Sequence, residues 1–164
     1  MRWIAFALAL FLAAPAAAAD WQEYDYPDYS FKVNFPIDPN IEITTYQASD
    51  GRPFEARVFS VAQDTGVFKI TVVELPDEGT GENALITHAV ETMTEGGVIK
   101  FNIPHRIRAV YGRQLGIAEA HGGYSYVAVF YHKKRLYQIE GKAFVAGGQA
   151  EVDAMRFQQS LDFT

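Results

Sequence analysis

The 164-residue chain contains no cysteine. That single absence excludes disulfide frameworks, thiolate zinc sites, iron–sulfur ligation, thiol nucleophiles and lipid attachment through an N-terminal Cys. Basic residues are also scarce: 14 Lys and Arg stand against 20 Asp and Glu, a formal net charge of −6. Nucleic acid is therefore not an expected partner, because phosphate binding is driven by Lys and Arg. Beyond the first 19 residues there is no second long apolar run, no Ser- or Pro-rich linker, no repeat and no low-complexity tract. That remainder reads as one domain, in line with about 100–200 residues per domain.

What is present begins with an address. Residues 1–19 read MRWIAFALALFLAAPAAAA. Arg2 precedes an apolar run, Pro15 breaks it, and Ala17-Ala18-Ala19 supplies the small residues of a cleavage site, the architecture of a secretory signal peptide. Cleavage after Ala19 leaves 145 residues beginning at Asp20, with net charge −7 once Arg2 is lost. The expected location is periplasmic or secreted, with no transmembrane segment in the mature chain. Charge is unevenly placed: residues 20–99 carry a net −11 and residues 100–164 a net +4. Strands from the two halves that interleave in one sheet would bring those charges together.

Periodicity sets the expected elements. Tyr29, Phe31, Val33 and Phe35 alternate with polar residues, the period of a half-buried strand, which Pro36 and Pro39 end. Ile41–Gln47 is a further β-branched stretch, closed by Ser49-Asp50-Gly51. Segments 54–62 and 67–75 flank a hairpin loop at Gln63–Gly66, and Val67–Val73 is apolar enough for a central strand covered on both faces. Leu85, Ile86, Ala89, Val90 and Met93 recur at helical steps within Asn83–Glu95, with Gly96-Gly97 as the stop. Strands resume at Val98–Ile103, where Pro104 points to an edge or a bulge. Three more β segments (106–111, 114–120 and 124–131), a turn at His132–Arg135, a strand at 136–144 and a helix at Glu151–Ser160 follow. That helix is expected to bury Val152, Met155 and Phe157. The order defines an α+β fold, a predominantly antiparallel β-sheet flanked by helices.

Chemical constellations are few. Gly79-Thr-Gly81-Glu-Asn-Ala84 fits G-x-G-x-x-A between a strand and a helix. However, Asp77, Glu78 and Glu82 would repel a pyrophosphate, and no acidic residue near the next strand's end could take the ribose, so it reads as a loop capping a helix. His88, His105, His121 and His132 are 17, 16 and 11 residues apart, without the close pairs or H-E-x-x-H of zinc sites. Ser125 lacks the second Gly of G-x-S-x-G, and His121 lies roughly 13 Å from it along a strand at about 3.3 Å per residue. No catalytic residue, metal or cofactor is expected. The one constellation with promise is basic. His132, Lys133, Lys134 and Arg135 form a cationic hairpin tip, and Arg106, Arg108 and Arg113 form a second cluster, the first two on one strand face. Such a surface suits an anionic partner: an envelope protein, a lipid headgroup or a polysaccharide.

Three stretches carry a resemblance. Tyr29-Ser-Phe-Lys-Val-Asn-Phe-Pro36 is similar to the "Y-x-F-x-V-x-F-P" opening of small exported bacterial proteins of the Mog1/PsbP-like class. Lys134-Arg-Leu-Tyr-Gln-Ile-Glu-Gly141 and Arg156-Phe-Gln-Gln-Ser-Leu-Asp-Phe163 resemble their "R-x-Y-x-L" strand and "F-x-x-S-F" ending. The resemblance implies a Mog1/PsbP-like sandwich, a central antiparallel sheet flanked by helices, usually without catalysis. Bacterial members are often lipoproteins; this chain, lacking Cys, departs from them, and a free periplasmic protein is implied. The residues in common are packing residues, so no functional residues carry over. The expected function is a non-enzymatic periplasmic binding or accessory protein of the envelope. Its alternatives are a small apolar-ligand carrier with an internal pocket, or a hydrolase of unrecognised type.

Overall fold

Alternation places the aromatic side chains on strand faces, and the faces decide the layers. The computed structural model describes residues 20–76 and 79–164; the signal-peptide expectation for residues 1–19, and Asp77 and Glu78, lie outside them. A short strand β1 (Gln22–Tyr26) leads through a 3-10 turn at Pro27–Tyr29 into β2 (Phe31–Phe35). Then come β3 (Asn40–Gln47), β4 (Pro53–Gln63), β5 (Gly66–Glu74) and helix α1 (Glu82–Met93). The second half contributes β6 (Val98–Ile107), β7 (Val110–Ala118), β8 (Tyr124–His132), β9 (Arg135–Ala143), helix α2 (Gly148–Gln159) and β10 (Asp162–Phe163). Seven strands form an antiparallel sheet in the order β3-β4-β5-β9-β8-β7-β6, and β1-β2-β10 form a smaller one. This is the expected α+β arrangement.

The large sheet is apolar on both faces, so each face needs a cover. On one, Phe59, Phe68, Ile70, Val72, Ala128, Phe130, Tyr137 and Ile139 meet Phe31, Val33 and Phe35 of β2, Phe157 of α2 and Phe163 of β10. Rings meet edge to face here, as in Phe130–Phe163 at 5.4 Å and Tyr137–Phe163 at 5.0 Å between centroids. On the other, Val73, Leu115, Ile117, Val127, Val129 and Leu136 meet Leu85, Ile86, Ala89 and Val90 of α1. Each such side chain, fully buried, contributes about 1.5–3 kcal/mol. The expected central strand is β5, third in the order, with Phe68, Ile70 and Val72 on one face and Val73 on the other.

Acidic and basic halves do interleave. β5 of the first half pairs along its length with β9 of the second. Across that seam run the ion pairs Lys69–Glu140 (2.9 Å) and Arg135–Glu74 (3.0 Å). Pro104 lies in β6, an edge strand whose register slips between Ile99 and Phe101. Three expectations need correction. β6 runs on through Pro104 to Ile107, so the strand expected at 106–111 is divided by the turn at Arg108 and Ala109. Val152 is 49% exposed and Met155 only half-buried, because α2 turns Ala154, Phe157 and Gln158 inward instead. Tyr29 belongs to the 3-10 turn, not to the β2 strand, and its carbonyl accepts the Tyr137 hydroxyl at 2.8 Å.

Candidate functional site

Width explains where the surface hollows lie. Seven strands about 4.8 Å apart make a face about 30 Å across, and one helix is about 10 Å wide. Helix α1 packs chiefly on β8, beside β7 and β9. It therefore leaves open strips of sheet on both of its flanks.

On the β6–β7 flank the strip is a groove of about 600 Å³. Ile86 and Val90 of α1 form one apolar wall, and Ile99, Pro104 and Tyr111 form the other. Strand register puts Pro104 opposite Arg113 and Arg106 opposite Tyr111, so all four side chains share the α1 face. Tyr111 is 68% exposed. Arg106 sits over the Tyr111 ring, 5.9 Å from its centroid, and so steadies an aromatic that no core residue holds. Arg113 is fixed by its own hairpin: Nε donates to Asn102 Oδ1 (2.8 Å) and Nη2 to the Asn102 carbonyl (2.9 Å). Glu82 and Glu91 stand on the helix side. The groove thus has an acidic rim, an apolar middle and a basic floor. Such a shape has room for a side chain or a short segment.

The sequence-derived basic residues are split by the structure. Because Gly112 of β7 lies beside Phe130 of β8, the β6–β7 and β8–β9 turns fall at one end of the sheet. Arg108, His132, Lys133, Lys134 and Arg135 are gathered there, whereas Arg113 lies in the groove. Arg106 and Arg108 do not share a strand face. Arg108 is in the turn, at φ 53°, and reaches Asp162 through two hydrogen bonds of 2.7 and 2.6 Å. Lys133 Nζ donates to the Thr164 carbonyl (2.8 Å), and Arg135 pairs with Glu74. His132 stacks on Phe163 at 5.2 Å; burial, then the Lys133 charge, lowers its pKa, against an opposing pull from Glu82. Several of these cations thus fasten the C-terminal strand β10 and the β5–β9 seam. Among the described residues, exposed Arg106 and Lys134 make no side-chain hydrogen bond or ion pair.

Ser125, fully buried, lies 2.7 Å from Glu119 Oε1 and 3.2 Å from Glu140 Oε1, and Lys142 pairs with Glu119 at 3.1 Å. No imidazole reaches that serine. His88 Nε2 is 3.0 Å from the Gln47 carbonyl, His105 packs on Phe130, and His121 is exposed in the loop before β8. Among the described residues no cluster of three or more His, Asp or Glu could hold a metal ion, and no helix is long and apolar enough to cross a membrane.

A large antiparallel sheet covered on one face by a single helix and on the other by a helix and a small sheet is the PsbP-like α+β fold. The solution structure of cyanobacterial PsbP (CyanoP) from Synechocystis sp. PCC 6803 is similar to this chain with a TM-score of 0.56 and 9% identity, over 94% of this chain and 99% of that one. No family model and no curated protein matches the sequence. The likeness is one of fold.

The groove is what sequence reading missed. Its walls come from elements on opposite sides of a loop, and no local pattern joins them. The available signal was Tyr111, a large ring beside a proline-bearing edge strand.

Proposed function

We propose that this chain is a non-enzymatic accessory protein of the bacterial cell envelope, exported to the periplasm, that engages a partner protein through the groove between α1 and the β6–β7 ribbon. The observation that carries this reading is Tyr111: a large aromatic held 68% exposed over a 600 Å³ groove with apolar walls. Aromatic anchors seated beside pockets are the side chains that dominate binding energy at interfaces. Ile99, 45% exposed and paired with Ile117 on the same face, is part of that apolar surface. The acidic rim and basic floor favour a partner segment with charges of both signs around an apolar residue. The packing of Phe and Tyr rings in the two cores supports this over the apolar-carrier alternative, since those rings fill the interior.

Pull-down from envelope extracts tests it, with the mature chain as bait and Tyr111→Ser as control. Capture of a defined protein by the wild type, lost at least tenfold in the variant, is expected from removal of one hot-spot aromatic. Equal recovery by both baits, or turnover of a hydrolase panel by the purified chain, would sink the reading. Export is tested separately: residues 1–19 fused to a leaderless reporter should deliver it to the periplasm, with processing after Ala19.

A further inference from the structure

The two edge strands of the seven-stranded sheet are protected differently. β6 carries Pro104, a register slip between Ile99 and Phe101, and the charges of Lys100 and Arg106. Proline, bulges and charged side chains are the devices that stop an edge from recruiting another strand. β3 has almost none of them. Its register with β4 runs unbroken from Asn40 opposite Ser60 to Gln47 opposite Pro53, and its one charged side chain is Glu42. Every residue from Asn40 to Thr45 is exposed. Ile41 and Ile43, 50% and 62% exposed, stand on one face, opposite Phe59 and Arg57 of β4. Among the described residues no strand pairs with the outer edge of β3, so the sheet leaves its outward N–H and C=O groups unmet.

We propose that two copies of this chain join edge to edge, β3 antiparallel to β3, into one continuous sheet. The strand's own residues select both the partner and the register. A two-fold axis normal to the sheet keeps each face with its like face, so residues an even number apart meet. With the axis beside Ile43, that residue faces Ile43 of the second copy, Ile41 faces its Thr45 and Glu42 faces its Thr44. Asn40 then faces Tyr46, so the seam uses the strand from Asn40 to Tyr46, about 24 Å at about 3.4 Å per residue. It stops short of Gln47, whose carbonyl lies 3.0 Å from His88 Nε2. β-Branched cross-strand pairs stabilise a sheet, and like charges directly opposite weaken it. An axis at Glu42 sets Glu42 against Glu42, and one at Thr44 parts the two Ile43 side chains. An axis at Ile41 brings Pro39, which has no N–H, into the seam. The Ile43 register alone joins the isoleucines along the whole strand without a like-charge contact. A seam of this length belongs to the small interfaces, under about 1,200 Å², so the dimer is reversible. β3 and β6 are opposite edges of the sheet, so this contact does not depend on the groove.

Because the chain has no cysteine, the register can be read by cross-linking. Only a residue on the axis lies opposite itself, so Ile43→Cys in the mature chain should form a covalent dimer with oxidised glutathione. Opposed β-carbons about 4.5–5.5 Å apart are near enough for that bond. The two copies of Thr45 would stand about 14 Å apart along the seam. Thr45→Cys should therefore cross-link at least tenfold more slowly, whereas Ile41→Cys mixed with Thr45→Cys should give the mixed dimer. Equal rates for Ile43→Cys and Thr45→Cys would overturn the proposal. Sedimentation equilibrium of the wild type should show reversible dimerisation, weakened at least tenfold in Ile43→Lys, which sets two ammonium groups on the axis. Position 43 is exposed, so that variant should melt with the wild type. A wild type that stays monomeric to about 1 mM, the weak end of specific association, would also overturn it. So would a dimer lost in Tyr111→Ser but kept in Ile43→Lys. Partner capture through Tyr111 should be unchanged in Ile43→Lys, so the two readings fail separately.

Discussion

The Tyr46 hydroxyl is buried and has no hydrogen-bond partner among the described residues. A buried hydroxyl without a partner is destabilising, so Tyr46→Phe should raise stability by up to about 1 kcal/mol, read as a higher denaturation midpoint in urea. Lys133 and Lys134 are also uncomfortable residues. The two-residue turn between His132 and Arg135 puts both in the left-handed region, at φ 49° and 61°, where a β-carbon costs about 1–2 kcal/mol. Lys133 is held there by its bond to the Thr164 carbonyl. Lys134 has no such side-chain bond, and Lys134→Gly should stabilise the fold by roughly 0.5–1 kcal/mol. A glycine of the opposite kind is Gly141. A β-carbon there would stand 2.7 Å from the Ala154 carbonyl carbon, so Gly141→Ala must push α2 off β9. A loss of about 1–3 kcal/mol is expected, the usual cost of overpacking, and thermal melting would measure it.

At the scale of the element, α2 shows how a weak start is rescued. Gly147 at its N-terminus offers no side-chain cap. Glu151 reaches back instead: Oε2 accepts the Gly147 N–H at 2.5 Å while Oε1 accepts the Tyr126 hydroxyl at 2.9 Å. One carboxylate thus serves as cap and as tie to β8, so Glu151→Ala should cost about 1–2 kcal/mol, seen as earlier melting. Elements of this kind differ in how readable they were. Strand β2 and the apolar stripe of α1 follow from periodicity, since one face of each is buried, and β5 follows from its run of apolar residues. The exposure of Val152 did not, because Ala154 is small enough to let α2 settle close on Gly141, which rotates Val152 outward. The misplacement of Arg108 has a similar cause: a two-residue turn, invisible in a charge pattern, took it off the strand and gave it to Asp162. The groove beside α1 depends on which strands the helix covers, and that is decided by pairing across the whole chain.

For the whole molecule the titrating groups set a pH profile. Burial lowers the pKa of His105 and, with Lys133, that of His132 below the ordinary imidazole value of 6.5. Between the folded and unfolded values the unfolded chain binds more protons, so stability rises with pH there and is fully present above about 6.5. Carboxylates act lower. The Arg108 guanidinium holds Asp162 below the usual range; burial opposes ionisation of Glu119, but bonds from Ser125 and Lys142 outweigh it. Their contribution is complete above the ordinary carboxylate pKa of about 4 and is lost as pH falls through the depressed values. The melting temperature should therefore be level from pH 8 to 7, fall through pH 6 and 5, and fall again below 4. Replacing His105 and His132 by Gln should remove the first decline and leave the second.

The β5–β9 seam also fixes a sequence of events in time. Gly66 of β5 finds its neighbour Ala143 near the far end of the chain, and this long-range pair lies in the middle of the large sheet. Loop closure on that scale slows folding, since chain entropy is lost before the contact returns anything. Until β9 has been synthesised and released, β5 is an unpaired edge of Val, Ile and Phe residues, the type of strand that recruits others. The first half of this chain is therefore a three-stranded meander with an adhesive border, and its safe passage depends on whatever keeps that border apart until the second half arrives.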